Sequence, residues 1–263
     1  MRFDSVRLST GPRLHYAEQG DGAGEPVLFL HGWPDSWFSY SRVLPLLPRL
    51  HALVPDQRGF GDSDKPESGY GIDVFADDAS AFLDALAIER ATIVGHSFGS
   101  FVARQMAFTH PERVARMILI GTGVTAGTPV VLEAQAVTHT LQDRVSIEFA
   151  REFQAGTVYV PLPDPFFERI VAESMKLPAR LWRELLDHLI AHRDPGPLSG
   201  IAAPTLLLWG ERDALFPREH QDRLLAGIPG ARLIIYPETG HCPNWERPER
   251  VAADLQAFLD PRV

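Results

Sequence analysis

Ala91-Thr92-Ile93-Val94-Gly95-His96-Ser97-Phe98-Gly99 sets one serine between two glycines, directly behind a β-branched apolar run. The run reads as a strand that ends in a sharp turn, with Ser97 at the apex and a helix behind it. A residue at such an apex is forced toward positive φ, and its close neighbours must be small. Gly95 and Gly99 meet that need. The turn holds a hydroxyl clear of the sheet and brings the N–H groups of a helix start to where an oxyanion would form.

A serine hydroxyl is a poor nucleophile at neutral pH and needs a base, with an acid to orient that base. Thr205-Leu206-Leu207-Leu208-Trp209-Gly210 has the pattern of a buried strand, and Glu211-Arg212-Asp213 follows at once. Arg232-Leu233-Ile234-Ile235-Tyr236-Pro237 is another, followed by Glu238-Thr239-Gly240-His241. In parallel α/β sheets, ligands collect outside the carboxyl ends of the strands, where all three loops belong.

With Ser97, Asp213 and His241 in that order, the chain resembles the α/β-hydrolase family. Asp213 is preferred to Glu211 because it matches the family's G-x-x-D position after the strand. Two further stretches carry the resemblance: Pro26-Val27-Leu28-Phe29-Leu30-His31-Gly32-Trp33-Pro34 and Val54-Pro55-Asp56-Gln57-Arg58-Gly59-Phe60-Gly61-Asp62-Ser63. The stretch at His31 implies an oxyanion hole from the backbone N–H groups of Trp33 and Phe98. The stretch at Asp56 is similar to the family's D-x-R-G-x-G-x-S segment, which shapes the loop behind that hole. The implied fold is a mainly parallel eight-stranded sheet flanked by helices, with a core of residues 1–122 and 201–263. A helical cap is expected over 123–200.

Composition agrees. The 263 residues, 45% hydrophobic, can bury one core with an insertion. A formal net charge of −9 argues against nucleic acid or an anionic membrane surface as a partner. No apolar run approaches the ~18 residues of a membrane span, and the N-terminus lacks a signal-like apolar region. The single cysteine, Cys242, excludes an intramolecular disulfide framework, and a cytoplasmic location is expected.

Along the chain, strands are expected near 13–17, 51–55 and 117–122, with helices over 37–47, 74–86 and 98–108. Gly20-Asp21-Gly22-Ala23-Gly24 reads as a turn. This strand–helix alternation implies parallel pairing with right-handed crossovers. Between 123 and 200 the rhythm breaks into helical patterns around 133–153 and 178–192. Phe149, Phe153, Tyr159, Phe166, Phe167 and Trp182 supply aromatic side chains for a lipophilic pocket roof there, which would limit the acyl or alcohol side of a substrate.

Other candidates read as structural. His96 is expected to point away from the strand end. Asp56 and Arg58 are expected to form a buried pair, and Cys242 to be a packed small residue. His188 and His192 have a metal-compatible spacing, but no H-E-x-x-H pattern or third ligand accompanies them. No cofactor or metal is expected. The implied activity is hydrolysis of small to medium lipophilic carboxylic esters through an acyl-enzyme. Lactone or carbon–carbon bond hydrolysis with the same triad, or a ligand-binding receptor on this fold, are the alternatives. The loop at His31 is also similar to that of epoxide hydrolases, but those enzymes, like haloalkane dehalogenases, attack with aspartate where this chain has Ser97.

Overall fold

Central strands that are buried on both faces cannot alternate polar with apolar residues, and β3 (Pro26–Leu30), β5 (Ala91–His96) and β7 (Thr205–Gly210) do not. The computed structural model describes residues 1–20, 22 and 24–260. It contains one eight-stranded sheet in the order β1-β2-β4-β3-β5-β6-β7-β8. The remaining strands are β1 (Arg2–Arg7), β2 (Arg13–Gln19), β4 (His51–Pro55), β6 (Val114–Ile120) and β8 (Arg232–Tyr236). β1 and β2 pair antiparallel, as do β2 and β4; every other neighbour is parallel. The expected fold class is borne out.

Successive strand residues point to opposite faces, so the sheet divides the core in two. Leu28, Leu30, Ile93, Met117, Leu119 and Leu207 pack beneath α1 (Ile72–Ala85) and α2 (Phe98–Thr109). Val27, Phe29, Val94, Ile118, Leu206 and Leu208 face the other way, toward Tyr40, Val43 and α9 (Pro248–Leu259). Between β6 and β7 lie four helices: α3 (Pro129–Thr138), α4 (Ile147–Gly156), α5 (Asp164–Ser174) and α6 (Ala179–Ala191). Helix α7 (Arg218–Gly227) follows β7, and the one-turn α8 (Pro243–Glu246) follows β8.

Three local expectations are corrected. The stretch 37–47 forms two 3-10 turns, Trp37–Tyr40 and Leu44–Leu46, because Pro45 and Pro48 deny an α-helix its N–H donors. The pattern at 133–153 splits into α3 and α4, since the Ser146 hydroxyl accepts the Phe149 N–H (3.1 Å) and starts a new helix. Asp56 and Arg58 do not pair with each other. Arg58 grips Asp78 (2.6 and 2.8 Å), while Asp56 accepts from His15 Nδ1 (2.9 Å) and the N–H groups of Trp37 (2.7 Å) and Asp62 (2.9 Å). Of the turn read at 20–24, Asp21 and Ala23 lie outside the described residues.

Candidate active site

Ser97 joins β5 to α2 with φ 49° and ψ −116°. A left-handed φ on a residue with a Cβ is strained and persists only where its surroundings enforce it. Here the Ser97 N–H donates to Ile120 O (2.9 Å), and the Ser97 carbonyl accepts the Ser100 N–H (2.8 Å) and hydroxyl (2.5 Å). The glycines are required by contact. A Cβ on Gly95 would collide with the Gly99 carbonyl, and one on Gly99 with the Leu30 carbonyl. Helix α2 therefore begins directly against β3 and β5.

Asp213 lies in the loop after β7 and His241 in the loop after β8. His241 Nδ1 stands 2.9 Å from Asp213 Oδ2, and Asp213 Oδ1 accepts the N–H groups of Leu215 (2.8 Å) and Phe216 (3.1 Å). With the carboxylate as acceptor, Nδ1 carries the proton and Nε2 is left as a base. His241 Nε2 is buried with no hydrogen-bond partner among the described residues. Ser97 and His241 line the same cavity, of about 530 Å³. No hydrogen bond joins Ser97 Oγ to Nε2, a contact that unliganded sites often close only around substrate. Glu211, the other acid considered after β7, is exposed, whereas Asp213 is buried.

Trp33 also lines the cavity, and Phe98 is the first residue of α2, where first-turn N–H groups lack an acceptor within the helix. The loop carrying Trp33 is fastened to the 56–63 stretch. His31 Nδ1 donates to Gly32 O (2.8 Å), its Nε2 accepts the Gln57 N–H (3.1 Å), and the Gln57 amide donates to His31 O (2.8 Å). Burial holds the His31 imidazole below its usual range, which suits this neutral tautomer.

His96 departs from expectation. It faces the cavity floor instead of turning away, with its ring centroid 5.2 Å from that of His241 and Nε2 3.3 Å from His241 O. Burial, reinforced by His241, keeps it well below the usual histidine range, and so neutral. Its Nδ1, with no hydrogen-bond partner among the described residues, stands 4.0 Å from Asp35 Oδ2. Burial pushes the Asp35 carboxyl up to about 7, although it accepts the Gln154 amide from α4 at 3.0 Å.

The four-helix segment also touches the histidine loop. The His241 N–H donates to Thr157 O (2.9 Å). Glu246 on α8 accepts the N–H groups of Tyr159 (3.0 Å) and Val160 (2.8 Å) together with that of Gly240 (2.9 Å). Burial raises its carboxyl above the usual range, against the pull of these donors.

Of the six expected roof aromatics, Phe149 and Phe153 line the cavity. The other four do not. Trp182 is completely buried behind the wall, edge-on to Trp33 and Phe153 (5.0 and 5.7 Å) and tilted against Phe149 (5.4 Å). Phe166 stacks on Phe38 and packs toward Trp245. Phe167 lies under Arg151, and Tyr159 is exposed beside Arg212. Cys242 is buried, its thiol pushed well up by that burial, with Sγ 3.5 Å from Thr157 Oγ1. His188 is exposed and His192 sits 3.4 Å from Asp194.

Sequence reading missed Asp35, Gln154 and Glu246, as well as Phe216 and Trp245 in the cavity wall. Asp35 had a signal: it stands two residues after Trp33, on the loop already assigned to the oxyanion. Nothing local marks the others.

The alpha/beta hydrolase fold family matches residues 25–248, and the chain belongs to that family. A 2-hydroxy-6-oxononadienedioate/2-hydroxy-6-oxononatrienedioate hydrolase of Klebsiella pneumoniae is 31% identical, over 94% of this chain and 91% of its own. Lipase 3 of a Moraxella species is 27% identical, over 99% and 85%. The crystal structure of a hydrolase from Pseudomonas aeruginosa superposes with a TM-score of 0.87 at 25% identity, covering 98% of both chains. Among the described residues, no helix is long and apolar enough to cross a membrane.

Proposed function

We propose that this alpha/beta hydrolase cleaves carboxylic esters of small to medium lipophilic substrates through an acyl-enzyme on Ser97. The observation that carries the reading is a serine at a strained apex sharing one cavity with a histidine whose Nδ1 is held by Asp213 at 2.9 Å and whose Nε2 is unpartnered. Ser97 Oγ attacks the ester carbonyl while His241 Nε2 takes its proton. Asp213 keeps the imidazole in the required tautomer and stabilises the imidazolium. The N–H groups of Trp33 and Phe98 receive the oxyanion, a stabilisation of ~3–4 kcal/mol for each donor. His241 returns the proton to the departing alcohol, and water repeats the sequence to release the acid. In this reading residues 123–200 act as a cap over the acyl site. The lone buried Cys242 suits a reducing, cytoplasmic setting.

The 31% identical Klebsiella relative, a 2-hydroxy-6-oxononadienedioate/2-hydroxy-6-oxononatrienedioate hydrolase by name, favours carbon–carbon bond hydrolysis by Ser97 as a second reading. Steady-state hydrolysis of p-nitrophenyl esters from acetate to decanoate, with Ser97→Ala alongside, separates the two. Multiple turnover abolished by Ser97→Ala is the expected result, and the chain-length optimum sizes the acyl site. Folded protein inert across the series would shift the assignment to the carbon–carbon or lactone reading. A single slow turnover with a ligand-dependent change in residues 123–200 would instead favour a receptor.

A further inference from the structure

The charges around the cavity are one-sided. Among its described lining residues there is no lysine or arginine, but there are three carboxyl groups: Asp35 on the floor, Glu133 on α3 and Glu152 on α4. Glu133 and Glu152 are exposed at the rim, and neither makes an ion pair or hydrogen bond among the described residues. Four arginines of the surrounding elements are engaged, Arg42 among them through the Trp245 carbonyl. Arg151 is bound to Glu168 (2.5 and 2.7 Å), Arg183 to the Leu141 carbonyl (2.7 Å), and buried Arg104 to Gly123 O (2.5 Å) and Asp194 (3.3 Å). The remaining basic groups are His241, which the proposed chemistry uses, and His96, which burial keeps neutral.

From this arrangement we infer that the cavity selects substrates whose acyl portion is uncharged, and rejects those that carry a carboxylate into it. The inference rests on the ester-hydrolase reading for which end of the substrate enters, and on the lining alone for the charge preference. Two effects act in the same direction. A carboxylate entering an apolar wall built of Val131, Phe149, Phe153, Leu186 and Phe216 would lose hydration with no cation to replace it. It would also meet the fields of Glu133 and Glu152, a penalty of roughly threefold in affinity for each across a partly solvated distance. Desolvation is the larger effect, because the rim charges are screened and the wall is not. Dicarboxylic substrates are thereby disfavoured and neutral medium-chain esters or lactones preferred.

The test uses binding, so that it does not depend on which bond is cleaved. Affinities of Ser97→Ala protein for hexanamide, adipamide and the monoamide of adipic acid at pH 7.5 would be read from the fluorescence of Trp33 and Trp245, both in the cavity wall. Adipamide and the monoamide have nearly the same shape and differ in one charge. The acid should bind at least about a hundredfold more weakly than the diamide. That gap should narrow by roughly three- to tenfold in a Glu133→Gln, Glu152→Gln background, and by a similar factor in half-molar salt. An acid that binds as well as the diamide overturns the inference. A gap that the double variant and salt both leave unchanged overturns the part assigned to the rim carboxylates. Absent p-nitrophenyl ester turnover, with the binding order intact, would count against the ester reading alone.

Discussion

The sheet side of the cavity and its helical side are built by different means. On the sheet side, Ser97, Asp213 and His241 leave the carboxyl ends of parallel strands, and each loop is fixed by backbone contact: Ser97 N–H on Ile120 O, Asp213 under two N–H donors, and the Arg212 N–H on Thr239 O in the His241 loop. On the helical side, α3–α6 meet the site through side chains and a few tie points, chiefly Gln154 on Asp35, Thr157 on His241 and two N–H groups on Glu246. Main-chain fixing resists substitution and change of ligand alike. Side-chain fixing lets the wall be re-cut for a different ligand without disturbing Ser97, His241 and Asp213.

The largest expected effect falls on the sheet side. Asp213→Asn should lower kcat for p-nitrophenyl butyrate by about 10⁴-fold while leaving urea stability close to that of the parent, because an amide favours the wrong imidazole tautomer. Near-normal turnover would remove Asp213 from the proposed site. The next effect lies at the junction. Asp35 keeps its proton in the fold up to about pH 7 but would lose it near 3.8 in the unfolded chain. Between those values the folded state binds the extra proton, so this group's contribution to stability is present at pH 4, falls as pH rises, and is lost by about 7. Asp35→Asn should therefore gain on the parent by as much as about 4 kcal/mol between pH 4 and pH 8 in urea unfolding. A difference independent of pH would refute the assignment of that titration to Asp35.

Gly99→Ala tests the main-chain fixing itself. Its Cβ would meet the Leu30 carbonyl, and backbone has no rotamer with which to yield. A loss of about 3 kcal/mol is expected, or failure to fold. A stable, active variant would mean the apex is looser than its contacts imply. The smallest effect belongs to the helical side. Trp182→Phe should cost only ~1–2 kcal/mol, because the buried indole N–H has no partner among the described residues and only volume is lost. KM for longer acyl esters should shift more than kcat, since Trp33 and Phe153 both lean on this ring.

The same contrast explains what could be read from the chain. β5, β7 and β8 are continuous apolar runs whose ends are marked locally, so the positions of Ser97, Asp213 and His241 were legible without any tertiary information. β1 was not, because it is an exposed edge strand with Phe3 51% accessible and arginines at both ends, which hides the strand pattern while protecting the edge. The aromatic residues of the helical segment were legible as apolar but not by destination. Whether Phe166 enters the cavity or packs on Phe38 depends on how α5 lies, which no periodicity in its own eleven residues encodes. His96 failed for a related reason. Strand alternation gives its side, but the depth of the cavity floor on that side comes from Gly32 and Asp35.

Glu246 sets a limit on modularity. A single carboxylate gathers the main chain of residues 159 and 160 and that of Gly240, one position before His241. A chimaera that imports residues 123–200 from a relative would therefore have to import the turn at 157–160 in register, or shift the His241 loop along with the helical segment. Evolution could exchange α3 and the outer face of α4 freely on this scaffold, but the seam at Glu246 would have to be inherited as one piece with the histidine it borders.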